Sequence, residues 1–415
     1  MPVKTQSVPS QGVPVQTSSV SRRLMSLDAL RGFDMFWIIG ADSLVYALNR
    51  LGQSKPTEFL AYELNHSNWE GFHFYDLIFP LFVFMAGVSL VFSLGNTMAS
   101  AGRARALKRI FTRSILLYGL GIFEYGGFDN PWPGIRLLGV LQRIALAYFF
   151  TGLCFCFFRP RALAAICAGL LVGYWALMTF VPFPDVRPTP QTQIIARESG
   201  FTNVSQLNMT STHFIRGTFI EGVNLCNYVD QRYLPGFKWD GTWDPEGILS
   251  TIPAVGTCLL GVFAGLLLQD QKIKDSRKVI YLISFGVVGV ALGWLWGWQF
   301  PVIKKIWTSS YVLVAGGYSA ILLGAFYQIV DVWQWQRWCR PFVWLGMNSI
   351  TLYMTDNLLG SFANPAQRLA GGDIKTFFDA RVAQGFGQMM ISVTGLLLAF
   401  WLARFLYQRK VFLRL

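Results

Sequence analysis

His66 stands in the run Asn65-His66-Ser67-Asn68-Trp69-Glu70-Gly71, with Asp76 ten residues further on. Imidazole titrates near neutral pH, so a histidine with a carboxylate to orient it can act as a general base or carry an acyl group. The same pair could equally be a hydrogen-bonded surface group and an acidic residue serving the dipole at a helix start. Four more ionisable residues, Asp34, Asp42, Arg143 and Asp356, fall inside apolar stretches. Each would cost at least about 2.5 kcal/mol at a bilayer centre, so such residues either pair, for instance Arg143 with Asp34, or line a shared polar cavity. Their spread over several apolar stretches favours the cavity.

The elements that must position these residues are membrane helices. The 415 residues are 53% hydrophobic and only 14% charged, a balance far from that of a water-soluble domain. Taking about 20 apolar residues as one span, the sequence predicts helices over 30–48, 74–94, 108–123, 137–158, 162–181, 249–268, 279–298, 310–330, 342–360 and 385–407. The fold class is therefore all-α, a polytopic integral membrane protein with about ten transmembrane helices. Residues 1–20, rich in Ser, Val, Gln, Pro and Thr, are expected to form a disordered cytoplasmic tail. Residues 21–415 form one transmembrane domain, with 182–247 an extracytoplasmic insertion too long to be a plain connector.

Basic residues test this map independently, because they concentrate in cytoplasmic loops. Arg103, Arg105, Lys108 and Arg109 share one connection, Arg159 and Arg161 the next, then Lys272, Lys274, Arg277 and Lys278, then Arg337 and Arg340. Arg404, Arg409, Lys410 and Arg414 follow the last span, so both termini are expected in the cytoplasm, in a plasma or inner membrane. The outer connections carry fewer, among them Arg136, Lys304 and Lys305. The net charge of +13 is thus distributed by topology rather than gathered in a patch, and nucleic acid is not an expected partner. No cleaved signal peptide is read, because the first apolar stretch carries Asp34 and Asp42. The six cysteines form neither a disulfide framework nor a metal-ligand spacing, and no metal is expected. Asn203-Val-Ser and Asn208-Met-Thr match the glycosylation triplet, a pattern that also arises by chance.

Several segments in order resemble the transmembrane acyltransferase family of heparan-alpha-glucosaminide N-acetyltransferase. They are Arg23-Leu24-Met25-Ser26-Leu27-Asp28-Ala29-Leu30-Arg31-Gly32, His66-Ser67-Asn68-Trp69-Glu70-Gly71, the run from Tyr75 to Phe84, and Gly139-Val140-Leu141-Gln142-Arg143. Trp243-Asp244-Pro245-Glu246-Gly247, the run from Lys305 to Tyr311, and Gly346-Met347-Asn348-Ser349-Ile350 complete the series. The resemblance covers nearly the whole chain after residue 21. It implies a bacterial-type member lacking a large lumenal domain ahead of the first helix. It also implies transfer of an acetyl group from cytoplasmic acetyl-CoA, used as co-substrate, to an amino sugar or other glycan on the opposite face. His66 is then the catalytic residue.

With that chemistry, Asp76 would orient His66, and Asp42 is the next base to consider. Asn348 and Gln142 are candidate donors to a developing oxyanion. Arg23, Arg31 and Arg143 are the cations expected to hold the CoA phosphates, with Gln142 beside them. The insertion at 182–247 is expected to cover the outer mouth of the site. Beyond donor and acceptor, the expected partners are the lipid bilayer and, as an open alternative to a monomer, a second copy in a homodimer. A transporter of a small polar or anionic solute would also need intramembrane Asp and Arg. No inverted repeat or matched pair of broken helices supports that alternative.

Overall fold

A computed structural model describes residues 24–413 except 53, 128, 188–212 and 370–372. The expected tail, Arg23 and both glycosylation triplets lie outside the described residues. The fold is helical throughout, with four two-residue strands among the described residues. Seven helices there are long and apolar enough to cross a membrane. The helices of interest are α1 (Met25–Phe36), α2 (Asp42–Leu51), α3 (Lys55–Glu63), α4 (Phe74–Glu124), α5 (Val140–Phe157) and α6 (Pro160–Phe180). They are followed by α7 (Leu225–Tyr233), α8 (Thr251–Gln269), α9 (Asp275–Gly297), α10 (Ser309–Phe326), α11 (Arg340–Met347) and α12 (Ser349–Leu359). The chain closes with α13 (Ala363–Leu369), α14 (Asp373–Arg381) and α15 (Phe386–Gln408).

Three breaks reshape the expected spans. Gly102 interrupts α4 at φ +78°, a conformation that a residue without Cβ reaches at no steric cost. Arg109 Nη1 donates to Thr97 Oγ1 at 3.1 Å across the break, although twelve helical residues would separate them by about 18 Å. The two predicted helices over 74–94 and 108–123 are therefore arms of one reversing element. The first predicted span divides into α1, a π-helical turn at Trp37–Ala41 containing Gly40 at φ +118°, and α2. The span over 342–360 divides at Asn348 into α11 and α12.

Glycines set the closest helix crossings. A Cβ on Gly87 would lie 1.9 Å from the Cys258 carbonyl oxygen, and one on Gly261 the same distance from that of Phe84. The first arm of α4 and α8 thus meet backbone to backbone, the usual role of small residues at membrane helix interfaces. A Cβ on Gly346 would come within 1.9 Å of the Asp28 carbonyl oxygen. This fixes α11 against α1, and with it Arg31.

The connections sort to two ends. The loop 64–73 pairs with the loop before α10 through an antiparallel bridge between Glu70 and Ile303, and Trp69 Nε1 donates to the Phe219 carbonyl at 2.7 Å. Arg136 reaches Asp244 at the same end. Within the long insertion, strands Phe183–Pro184 and Phe214–Ile215 pair antiparallel, as do Phe219–Ile220 and Val223–Asn224, and α7 follows. The Gly102 reversal, where Arg103 stacks over Phe157 at 5.2 Å, lies at the other end.

Candidate active site

Asp76 sits in the first turn of α4 and is fully buried. Its Oδ1 lies 2.8 Å from His66 Nδ1, while Oδ2 accepts the backbone amides of Ser67 at 3.1 Å and His73 at 3.0 Å. One carboxylate therefore caps its helix, closes the loop before it and holds the imidazole. Gly71 ends that loop at φ +121°, from which its amide donates to the Val302 carbonyl at 2.9 Å. These bonds bring the 298–308 loop alongside, and Lys304 Nζ stands 3.0 and 3.3 Å from the two nitrogens of His66 and 3.5 Å from Asp76 Oδ1. The His66 side chain is 52% exposed against 20% for Lys304 and 0% for Asp76. Burial pushes the imidazole below its ordinary pKa, Asp76 opposes the shift, and the Lys304 charge adds to it. Neutral His66 is the form that can accept a proton.

His66 and Asp76 line a cavity of about 750 Å³. Along α4 its wall runs through Tyr75, Phe79, Phe82, Ala86, Ser89 and Ser93, one helical face. The eighteen steps from Tyr75 to Ser93 cover about 27 Å at 1.5 Å per residue, close to the roughly 30 Å of a hydrocarbon core. The far end gathers Arg31, Arg109 and Arg113. Arg31 Nη2 donates to Ser89 Oγ, and the Arg113 guanidinium lies 4.5 Å from the centre of the Tyr148 ring. The cavity thus joins a histidine-carboxylate pair to a cationic cluster through a largely apolar passage.

The mouth beside His66 is held by a buried ion cluster. Arg136 donates to Asp244 through Nε at 2.9 Å and Nη2 at 2.7 Å, and to Glu246 at 2.7 Å. Its guanidinium also stacks over Tyr125 and Trp239. Lys305 ties the same wall to Glu221 and Asp240, each at 3.1 Å.

The structure brings His66, Asp76 and Arg31 to the cavity wall and places the other sequence candidates around it. Asp42 accepts from Tyr75 at 3.4 Å, and Tyr75 in turn stacks against His66 at 4.9 Å. Asn348 is buried at the α11–α12 break, donating to the Trp344 carbonyl at 3.1 Å, with its Oδ1 unpartnered among the described residues. Gln142 and Arg143 are fully buried on α5 and do not reach the cavity wall. The expected Arg143–Asp34 pair is not formed: Arg143 Nη2 donates to Ser250 Oγ and its guanidinium lies 4.8 Å from the Trp307 ring centre. Asp34, also fully buried, has no hydrogen-bond partner for either carboxylate oxygen among the described residues. Asp356 caps a turn, accepting the Phe362 amide at 2.9 Å.

Sequence reasoning missed Lys304, Glu246, Arg109 and Arg113 as site residues, reading Lys304 and Arg109 only as markers of topology. For Lys304 a signal existed. Adjacent lysines at 304 and 305 fall in a connection expected on the outer side, against the bias that explains most of the other basic residues.

Residues 23–203 match the family model described as heparan-alpha-glucosaminide N-acetyltransferase, catalytic. Over 376 residues the chain is 27% identical to heparan-alpha-glucosaminide N-acetyltransferase of Homo sapiens, covering 81% of this chain and 53% of that protein. The Mus musculus protein of the same name is 26% identical over 385 residues, covering 84% of this chain and 55% of its own length. The chain spans about half the length of the curated relatives it matches. The resemblance seen in the motifs is thereby borne out. The matched family interval contains His66, Asp76, Arg31, Arg109 and Arg113.

Proposed function

We propose that this protein is a membrane-embedded acetyltransferase that moves an acetyl group from acetyl-CoA to an amino sugar or other glycan, with His66 as general base or acyl carrier. The observation that carries the reading is the placement of the His66–Asp76 pair at one end of a cavity whose other end gathers Arg31, Arg109 and Arg113. Arginines suit phosphate oxygens through charge-assisted, bidentate hydrogen bonds. The apolar wall between the ends suits the extended arm of the donor, which would present its thioester to His66. Arg23 remains a candidate for the same phosphates, Asn348 and Gln142 for polar support, and Asp42 for support of His66 through Tyr75.

In this reading Asp76 holds Nδ1–H, which leaves Nε2 as the atom that takes the acceptor's proton. The chain crosses the membrane ten times: α1–α2 and α11–α12 each count as one broken span, and the two arms of α4 as two. Both termini are cytoplasmic, His66 faces the opposite side, and the 182–247 insertion covers the mouth. The likeness to proteins named as acetyltransferases supports this reading over a solute carrier.

The test is incubation of the detergent-purified protein with acetyl-labelled acetyl-CoA and a panel of amino sugars. Label transfer that depends on His66 supports the reading. Uptake of a solute into proteoliposomes without transfer would replace it with the carrier.

A further inference from the structure

Lys304 is the cation nearest the imidazole, and its position is built by backbone pairing rather than by chance of rotamer. The Glu70–Ile303 bridge and the Gly71-to-Val302 hydrogen bond fix the residue before it against the His66 loop. Thr308 then locks the loop's far side, its hydroxyl accepting the Ile303 amide at 3.1 Å and the Tyr311 amide at 3.4 Å at the start of α10. The ammonium has three donors: with Nδ1–H of His66 given to Asp76, its acceptors among the described residues are His66 Nε2 at 3.3 Å and Asp76 Oδ1 at 3.5 Å, both long contacts, which leaves a donor for a substrate oxygen. It also lines the same cavity as His66.

Resting on the acetyl-transfer reading above, we infer that Lys304 is a further catalytic residue, donating an N–H to the carbonyl oxygen of the thioester as negative charge develops there. The acceptor nitrogen forms the new N–C bond, the carbonyl π pair moves onto oxygen, and Lys304 holds that oxyanion. His66 Nε2 takes one proton from the acceptor nitrogen. When the carbonyl re-forms, the C–S bond breaks and the thiolate leaves with the proton from Nε2–H. A fixed ammonium costs little reorganisation at this step, which is why such donors contribute strongly. The same charge keeps His66 neutral and able to act as base.

The groups facing His66 are Asp76 and Tyr75 from α4, His73 from its own loop and Lys304. Those facing Lys304 are Asp76, Glu246 and Lys305. Burial lowers the Lys304 pKa from its ordinary value, while Asp76 and Glu246 resist the shift. The transfer rate should therefore rise with pH as His66 loses its proton and fall again as Lys304 loses its own.

The experiment measures kcat/KM against pH for the wild type, Lys304→Gln and Lys304→Arg, with acetyl-CoA binding and thermal unfolding in detergent followed in parallel. Lys304→Gln is expected to lose about 10²- to 10³-fold in kcat/KM with acetyl-CoA binding retained, the range for one oxyanion donor. Its acid limb should move to higher pH, because His66 loses a cationic neighbour. Lys304→Arg should recover part of the rate and lose the alkaline limb, since guanidinium keeps its proton. If the wild type transfers label and Lys304→Gln matches it in rate and in both limbs, the role of Lys304 is refuted while acetyl transfer stands. A Lys304→Gln that loses rate only in proportion to lost folded protein, with Lys304→Arg keeping both limbs, also refutes it. A wild type that transfers no label overturns both.

Discussion

The Tyr311 hydroxyl donates to the backbone carbonyl of Asp76 at 2.8 Å, filling an acceptor that the helix itself leaves empty. Four residues after Asp76 comes Pro80, which has no N–H to return to that carbonyl. A residue of α10 thus completes the first turn of α4 and steadies the carboxylate that holds His66.

Tyr311→Phe should leave the carbonyl buried and unsatisfied, at a cost of about 1–3 kcal/mol. Pro80→Ala supplies the missing N–H, so the cost of Tyr311→Phe should shrink in that background. Thermal unfolding of the four proteins in detergent gives the coupling directly. Additive effects would mean that the proline and the tyrosine are unrelated.

Arg136 is 4% exposed and neutralises two buried carboxylates. Burial would lower its pKa, but Asp244 and Glu246 together raise it above the ordinary value, so it stays charged throughout the working range. Arg136→Met should cost about 3–5 kcal/mol by stranding Asp244 and Glu246 without a partner. Arg136→Lys should fall between, because ammonium cannot reproduce the paired contacts to Asp244. Equal melting of wild type and Arg136→Met would show the cluster to be inconsequential.

The cationic end makes a kinetic prediction. Arg109→Gln and Arg113→Gln should each raise KM for acetyl-CoA roughly tenfold, the effect of losing one charge-assisted hydrogen bond, with kcat little changed. A fall in kcat at constant KM would place these residues outside donor binding.

Orientation is a separate claim. Reporters fused after Leu415 should be active only in the cytoplasm, and a cysteine placed at Lys55 should react with an impermeant reagent from the opposite side. Labelling of both positions from one side would mean an even number of crossings between them.

Much of this architecture was legible because hydropathy is additive over some twenty residues and tolerates local error. The long helices therefore fall where the apolar runs predict them. The breaks were not legible, since each depends on one residue: Gly40 and Gly102 adopt positive φ, and Asn348 ends one short helix and begins another. The His66–Asp76 pair was visible from its ten-residue spacing, because a loop closing onto its own helix start is a local event. Lys304 lies 238 residues from His66, and the pairing of the two loops through Glu70–Ile303 and Gly71–Val302 brings it there. Arg143 shows the reverse error. Its place in an apolar helix suggested a binding role or an Asp34 partner, whereas packing turns it toward Ser250 and Trp307.

The central claim is that His66 performs the transfer, and its direct test is a comparison of His66→Ala with His73→Ala. His73 shares the same loop, but its ring stacks on Tyr62 at 4.3 Å and its Nδ1 lies 2.9 Å from the Asn65 carbonyl oxygen, packing contacts at the helix start. Acetyl-CoA binding and folding should survive in both variants, because neither residue lies at the cationic end of the cavity or creates a large void. With labelled acetyl-CoA and a responsive acceptor, His66→Ala should lose about 10²- to 10⁴-fold in transfer if His66 is a base, and nearly all activity if it carries the acyl group. His73→Ala should stay within a few-fold of the wild type. Near-normal transfer by His66→Ala, with donor binding intact, would contradict the account and move the search for the base to Asp42 and Asp76.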